Sequence, residues 1–192
     1  MNYASDRYKV RVERKKSTDR KEASFMDYLV VYSSKTGNTE KVAMAIFNAL
    51  PGKSKDVQRV EELKGEADTY FVGFWNNRGT CSGEIVELLS GLSGKKVALF
   101  GTCGMGGSQE YFDTVVNQVE AFIPDDCEYL GAFMCAGKMP PQILEKYKQM
   151  QKVNDNPQVR MMIKAYEEGM LHPNNDDFRH AREFVEQVIG KE

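Results

Sequence analysis

Short apolar runs alternate with longer amphipathic segments along the chain from residue 28 onwards. Runs rich in β-branched and aromatic residues predict strands buried on both faces, and they fall at residues 29–32, 68–74, 97–100 and 128–136. A weaker, more polar run at 54–60 suits the edge of a sheet. Apolar residues at helical spacing predict helices after residue 39 and at 82–92, 111–123, 143–151 and 159–169, with a last helix starting near Asp176. This alternation predicts a parallel sheet covered by helices on both faces.

Charge divides the chain into two parts. Residues 1–25 contain eight Lys or Arg against four Asp or Glu, whereas residues 26–192 contain 18 against 24. We therefore expect a basic N-terminal extension over 1–25, disordered or introduced by cloning, and one acidic domain over 26–192. The extension carries no recognisable nucleic-acid-binding motif, so no nucleic-acid partner is expected.

Cysteine usage and hydropathy exclude several classes of protein. No apolar run approaches the ~20 residues of a membrane span, and the N-terminus has no apolar signal core. The four cysteines show no Cys-x-x-Cys spacing, and with only two histidines no metal site is expected. Unpaired thiols are typical of a reducing compartment. The sequence therefore predicts a cytoplasmic protein without a membrane attachment.

A loop of small polar residues joins the first strand to the first helix. The N–H groups that begin a helix have no intrahelical partners, and together with the helix dipole they favour an anion such as phosphate. Neither Gly-Lys-Ser/Thr nor Gly-x-Gly-x-x-Gly is present, which argues against a nucleoside triphosphate or a dinucleotide. The loop offers hydroxyl donors, a glycine that allows close approach of the backbone and an asparagine suited to capping the helix. The candidate site residues are Ser34, Lys35, Thr36, Gly37, Asn38 and Thr39.

This loop resembles the phosphate loop of the flavodoxin family, because an aromatic Tyr32 ends the strand and Ser34-x-Thr36-Gly37-x-Thr39 follows it. The resemblance implies a flavodoxin-like α/β fold with three layers, α/β/α, and a five-stranded parallel sheet in the order 2-1-3-4-5. It also implies that the cofactor is FMN, held across the carboxyl ends of strands one, three and four.

Two further loops would then hold the flavin ring. After strand three, a tryptophan is expected to stack on the ring and a neighbouring peptide to accept a hydrogen bond from it; the candidates are Trp75, Asn76, Asn77 and Gly79. The Gly-rich loop at 101–108 resembles the second flavin loop of short-chain flavodoxins, and its candidates are Thr102, Cys103, Gly104, Met105 and Gly106.

Met105 stands where that second loop usually has an aromatic residue, and Tyr111 is the alternative aromatic. The same methionine argues against a catalytic Cys103, because a nucleophile elbow needs glycine at position 105. Neither ring loop contains Asp or Glu, and the first contains Arg78. We therefore expect an anionic, reduced flavin to be less disfavoured than in flavodoxins with acidic loops.

About 35 residues separate strand five from the last helix, where a minimal flavodoxin has a short connection. This insertion, at about 138–172, leaves the carboxyl end of a strand and therefore starts on the flavin side of the sheet. It caps the cofactor, docks a partner or serves only as a packing appendage, and the sequence leaves these three roles open.

The resemblance implies an electron-transfer protein that shuttles electrons to or from a redox partner or reductase, and no catalytic residue is predicted. An NAD(P)H-dependent reductase of quinones or other small molecules on the same fold is the alternative. A flavin-free interaction module is a third interpretation, which the intact phosphate-loop motif disfavours. We expect an electron carrier rather than a stand-alone oxidoreductase.

Overall fold

The computed structural model describes residues 25–105 and 108–190. Five strands form one parallel sheet in the order β2-β1-β3-β4-β5; they are β1 Phe25–Tyr32, β2 Lys55–Arg59, β3 Glu66–Trp75, β4 Lys96–Cys103 and β5 Glu128–Ala136. The helices of the described chain are α1 Asn38–Ala49, α2 Gly83–Gly91, α3 Gln109–Glu120, α4 Pro141–Val153, α5 Pro157–Gly169 and α6 Asn175–Ile189. A short 3-10 helix, Val60–Glu62, follows β2. The predicted flavodoxin-like fold and its strand order are confirmed.

Both faces of the sheet are covered by apolar helix surfaces. On one face, α2 and α3 pack against alternate strand residues, and this cluster includes Leu29, Val31, Val72, Leu99, Ile85, Leu89, Val115 and Val119. On the other face, α1 and α6 pack against the intervening residues, and this cluster includes Val30, Phe71, Ala98, Val42, Ile46, Phe184 and Val185. Burial on both sides explains why the three central strands carry continuous apolar runs instead of alternating ones.

The register of the sheet brings the carboxyl ends of the central strands together. Tyr32 at the end of β1 lies beside Gly73, and Trp75 at the end of β3 lies beside Thr102. Cys103 at the end of β4 lies beside Ala136, the last residue of β5. The loops that follow these four strands therefore emerge at one edge of the sheet.

Strand β4 is longer than the sequence predicts, because residues 101–103 continue the ladder instead of starting a loop. Gly101 pairs with both Phe74 and Met134. A Cβ at this position would collide with the side chains of the same two residues. This glycine therefore allows close packing between strands. The sequence predicted a Gly-rich loop here, but pairing with the strands on both sides keeps residues 101–103 in β4.

The predicted insertion contains the α4–α5 helix pair, which lies between β5 and α6 in the chain. The predicted extension at 1–25 lies outside the described residues except for Phe25, which pairs with Glu66 in the sheet. Within 25–105 and 108–190, no helix combines the length and the apolar character needed to cross a membrane. The same residues contain no group of side chains able to hold a metal ion.

Candidate functional site

The loop after β1 is organised by Ser34 and Gly37. The Ser34 hydroxyl oxygen accepts hydrogen bonds from the backbone N–H groups of Gly37, at 3.1 Å, and Glu40, at 3.3 Å. Gly37 is the N-cap of α1 and adopts φ 82°, a left-handed conformation that favours glycine. Because Ser34 Oγ only accepts in these two bonds, its own O–H is left to donate. The loop thus presents a helix N-terminus together with a hydroxyl donor.

The expected capping role of Asn38 is wrong, because Asn38 lies one residue inside the helix and Gly37 takes the cap without a side-chain bond. The Asn38 amide instead donates to Thr36 Oγ1 at 2.9 Å and to the backbone carbonyl of Lys138 at 2.8 Å. Thr36 therefore keeps its hydroxyl proton for another acceptor. The same amide connects the loop after β1 to the start of the insertion, 100 residues further along the chain.

Thr39 is buried and faces Thr102 rather than an open cavity. The two hydroxyl oxygens are 3.0 Å apart, and either can be the donor. Thr39 is 1% exposed and Thr102 is 4% exposed. This contact holds the first turn of α1 against the end of β4. Thr39 therefore stabilises the position of the loop after β1.

A second brace links the loop after β1 to the start of α2. Ser33 Oγ donates to Glu84 Oε1 at 2.8 Å. Hydrogen bonding to the backbone N–H of Glu84 itself lowers the pKa of this carboxyl, and the Ser82 and Ser33 hydroxyls lower it further against the effect of burial. A carboxylate at a helix N-terminus is favoured by the dipole, so Glu84 stays ionised while it holds Ser33.

The loop after β3 is held in a tight conformation by Asn76. Its side-chain oxygen accepts from the N–H of Gly79 at 2.8 Å, and its amide donates to Cys103 Sγ and to the Tyr111 hydroxyl, both at 3.0 Å. Arg78, at the tip of the loop, has φ 57° and is the one non-glycine residue of the described chain with positive φ. The loop thus begins at Trp75, the last residue of β3, and exposes Arg78 at its tip.

Beyond Trp75, Lys35 reaches across from the neighbouring loop. Its ammonium nitrogen lies 5.2 Å from the centroid of the Trp75 ring, which is a cation–π distance. One face of the tryptophan is thereby partly covered by an exposed, charged side chain. A flat ligand that stacks on this ring would take the place of Lys35 or use the opposite face.

The loop after β4 meets the insertion. Cys103 Sγ donates to the carbonyl of Met105 at 2.9 Å, and a Cβ on Gly104 would collide with the side chain of Met139. Burial raises the pKa of Tyr147, so its phenol stays protonated and donates to Met105 Sδ at 3.2 Å. The α4 helix therefore packs directly on the second of the two predicted ring loops.

These elements enclose a cavity of about 430 Å³ at the carboxyl edge of the sheet, a size within the range of small-ligand sites. Ten of the predicted site residues line it: Lys35, Thr36, Asn38, Trp75, Asn76, Asn77, Thr102, Cys103, Gly104 and Met105. Ser34, Gly37, Thr39 and Gly79 shape the surrounding loops without lining the cavity, and Gly106 lies outside the described residues.

The lining also contains residues that were not predicted as cofactor contacts, namely Arg78, Tyr111, Lys138, Met139, Pro140, Ile143 and Tyr147. Arg78 stands between two predicted contacts, and Tyr111 was named as an alternative aromatic. Ile143 and Tyr147 are four residues apart and so share one face of α4. That spacing was visible in the sequence, but which face α4 turns to the cavity depends on its packing.

The donor set at this edge fits FMN. At one end, a helix N-terminus and hydroxyls without any carboxylate suit a phosphate. At the other end, Trp75, Met105, Ile143 and Tyr147 offer flat or adaptable apolar surface. Asn77 also lines the cavity and can meet a polar ring edge, whereas the Asn76 amide already donates to Cys103 and Tyr111.

The fold and the site define a class, and the family model of the flavodoxin domain matches residues 29–186. The chain belongs to the flavodoxin family. It is 35% identical over 173 residues to the flavodoxin-like domain-containing protein BilS of Clostridioides difficile (strain CD3), covering 86% of this chain and 98% of that protein. A protein of the same name from Clostridium symbiosum (strain WAL-14163) is 29% identical over 184 residues, covering 83% and 94% of the two chains.

Solved structures show the same fold at low sequence identity. The flavodoxin of Streptococcus pneumonia TIGR4 matches with a TM-score of 0.52 and 18% identity. The match covers 86% of this chain and 99% of the flavodoxin chain. A short-chain flavodoxin associated with a bacterial microcompartment has a TM-score of 0.54 and 16% identity, with coverages of 86% and 98%.

Proposed function

We propose that this chain binds FMN in the cavity at the carboxyl edge of the sheet and carries electrons to or from a redox partner. The observation that carries the proposal is the meeting of two unlike surfaces in one cavity. A helix N-terminus with hydroxyl donors lies at one end, and a tryptophan with amide-lined loops lies at the other. Membership of the flavodoxin family supports the same assignment.

At the phosphate end, Thr36 lines the cavity and keeps its hydroxyl proton, so it is the side-chain donor that we assign to the phosphate. Backbone N–H groups from the first turn of α1 add to it. Thr39 and Ser33 keep the loop in position through Thr102 and Glu84. A phosphate held by fixed donors costs less ordering on binding than one held by flexible lysines alone.

At the ring end, Trp75 supplies a flat wall, and Met105 with Tyr147 supplies a second apolar surface. Asn76 holds the loop between them through three side-chain hydrogen bonds. The peptide groups of Asn77 and Gly79 are the candidates to accept a hydrogen bond from the ring. FMN would supply the redox chemistry, while the protein would bind it, orient it and exclude water from its faces.

Flavin binding tests the phosphate end most directly. Thr36→Ala removes a bond to a charged group worth roughly 1.5–3 kcal/mol, so FMN affinity should fall at least about tenfold. Riboflavin, which lacks the phosphate, should bind the variant and the parent protein almost equally. Thr114→Ala, on the exposed side of α3, is the matched control and should leave both affinities unchanged. Equal losses for FMN and riboflavin would contradict this placement of the phosphate.

The carrier role needs its own test, because the same fold also suits a reductase. Purified holoprotein would be mixed with NADH or NADPH and a quinone, and nucleotide oxidation would be followed. We expect no turnover without an added reductase, together with reversible reduction of the bound flavin. Rapid NAD(P)H oxidation by the protein alone would replace the carrier role with the reductase role.

We further propose that the protein acts in the cytoplasm. Its four cysteines, Cys81, Cys103, Cys127 and Cys135, are all free thiols. Disulfides form readily in oxidising compartments, so free thiols support a reducing one. Fractionation of the native cells with an antibody against this chain would test the assignment.

A further inference from the structure

The charged residues that line the cavity are all positive. They are Lys35, Arg78 and Lys138, and all three are exposed. No carboxylate belongs to the lining, although residues 26–192 contain 24 Asp and Glu against 18 Lys and Arg. The charges that line the proposed cofactor site are therefore opposite in sign to the net charge of the domain.

The three cations are not used to hold the fold together. None of them forms an ion pair within the part of the chain that the structure describes, and Lys35 makes a cation–π contact instead. They start on three separate loops, after β1, β3 and β5. The acidic residues at the start of the bordering helices, Glu110 on α3 and Glu145 on α4, are exposed but do not line the cavity.

Arg78 adopts a backbone conformation that is unfavourable for an arginine. Its backbone has φ 57°, a conformation that glycine or asparagine adopts more readily than arginine. A residue kept in such a conformation at a cofactor site suggests that its side chain is used. Arg78 belongs to the loop that carries Trp75 and not to the loop that we propose holds the phosphate.

We propose that this cationic rim, formed by Lys35, Arg78 and Lys138, docks the carboxylate-rich face of a one-electron redox protein. The proposal rests on the proposed function, since the flavin is the centre that the partner must approach. Exposed side chains around the mouth reach a partner that stays outside the cavity, whereas small ligands bind in concave sites. Opposite charges steer such an encounter and fix its orientation more than they tighten it.

The exchange itself requires no bond to form or break. One electron leaves the reduced protein and lowers the oxidation state of the partner's redox centre by one. The cations contribute by bringing the partner's acidic face to the exposed edge of the cofactor. Charges more than ~8–10 Å away are largely screened at physiological salt, so the rim rather than the net charge of the domain decides which partner approaches.

The test uses the FMN-loaded protein, reduced with dithionite and mixed in a stopped-flow instrument with two oxidants of opposite charge. Rubredoxin is a small acidic one-iron protein, and cytochrome c is a basic haem protein. In both cases a ferric iron accepts the electron and becomes ferrous. A neutral quinone serves as a third oxidant, and each rate constant is divided by the quinone value to remove changes in driving force.

We expect the rate constant with rubredoxin to fall as salt is raised, and that with cytochrome c to rise or stay level. Arg78→Glu with Lys138→Glu should lower the normalised rubredoxin rate constant about tenfold at low salt. That difference should disappear at high salt. The neutral pair Arg78→Gln with Lys138→Gln should give an intermediate loss. Lys53→Glu, an exposed charge just before β2 at the opposite edge of the sheet, should leave the rate unchanged.

Two results would overturn the proposal. One is a normalised rubredoxin rate that the double variant leaves unchanged, or that Lys53→Glu lowers equally. The other is a double variant that binds FMN but not riboflavin more weakly while its rates per bound flavin stay unchanged, because the cations would then serve the phosphate. A protein that binds no flavin at all would refute the proposed function itself, so the two failures are distinguishable.

Discussion

The proposed phosphate end of the cavity belongs to one continuous loop, residues 33–39, of which Lys35, Thr36 and Asn38 line the cavity. The proposed ring end is assembled from loops and a helix that lie between residues 75 and 147. At the proposed phosphate end, the hydrogen bonds that shape the loop itself are local, such as those of Ser34 with Gly37 and Glu40. Three longer-range bonds then hold this loop against the rest of the fold. At the proposed ring end, the contacts that join one segment to another span 27 to 42 positions, such as Asn76 with Cys103 and Tyr147 with Met105.

The difference shows that the phosphate end depends mainly on a short sequence motif, whereas the ring end depends on how distant segments pack together. A phosphate needs donors and a helix N-terminus, and a short motif supplies both. A flat ring needs walls on two faces, and no single loop has enough surface to provide them. Substitutions at the phosphate end should therefore discriminate FMN from riboflavin, whereas substitutions at the ring end should affect both ligands alike.

The largest effect is expected from Tyr147→Ala. Removing a buried aromatic side chain costs about 3 kcal/mol of unfolding free energy, and here it also removes the support of Met105. FMN and riboflavin affinities should fall by similar factors, measured by fluorescence titration. Tyr166→Ala is the matched control, because Tyr166 is equally buried on α5 but does not line the cavity. If both variants weakened flavin binding alike, general destabilisation rather than a ring wall would explain the result.

Asn38→Ala should act on both ends, because the Asn38 amide joins Thr36 to the carbonyl of Lys138. Losing two hydrogen bonds costs about 1–3 kcal/mol, measured by chemical unfolding. FMN affinity should fall more than riboflavin affinity, but both should fall. Asn117→Ala, on the exposed surface of α3, should change neither. An effect on FMN alone would mean that the bond to Lys138 does not couple the two ends.

Gly37→Ala should weaken FMN binding through the backbone. An L-residue at φ 82° costs roughly 1–2 kcal/mol, and no neighbouring atom crowds the added Cβ. Gly52, with φ 74° and equally open surroundings, offers a control for strain alone. Both variants should lose similar stability, but only Gly37→Ala should lower FMN affinity, by about tenfold. Calorimetry and FMN titration on the same samples would separate the two effects.

Arg78→Glu should lower the potential for the second one-electron reduction of bound FMN, because a negative charge then faces an anion. One unit charge about 6 Å away is worth on the order of 1–3 kcal/mol at an effective dielectric constant of 20–40. Since ~1.4 kcal/mol corresponds to ~59 mV for one electron, and Arg78 is exposed, we expect a shift of several tens of millivolts. Redox titration at low and moderate salt would measure it. A shift below about 10 mV would place Arg78 away from the ring.

The smallest effect concerns pH and the brace between Ser33 and Glu84. The pKa of Glu84 is lowered in the folded protein, so its contribution to stability is present above the pKa of the unfolded chain. That contribution is lost as the pH falls through the folded pKa. Near neutral pH, the free energy of unfolding of the parent protein should exceed that of Glu84→Gln by less than about 1 kcal/mol. This difference in stability should disappear in acid. Urea unfolding across the acidic range would show it, and a gap that widened in acid would contradict the sign.

Much of the fold was predictable because it rests on local and periodic signals. Continuous apolar runs mark strands buried on both faces, and the polar run of β2 correctly indicated an edge strand. The phosphate-loop motif of the family could be recognised in the sequence because its residues are consecutive. By contrast, the end of β4 was predicted three residues too early, since Gly101 looks like a loop signal but is a packing requirement between Phe74 and Met134.

By itself, the sequence determined the order of strands and helices along the chain, the position of the loop that we propose holds the phosphate, and the position of Trp75 at the end of β3. These features depend on spacing and on chemistry along short segments. Only the tertiary structure decided that Thr39 braces Thr102, that Asn38 reaches Lys138 and that Tyr147 supports Met105. Such contacts depend on how distant segments pack, because the face that a helix turns inwards is set by the total burial of the whole domain and not by its own residues alone.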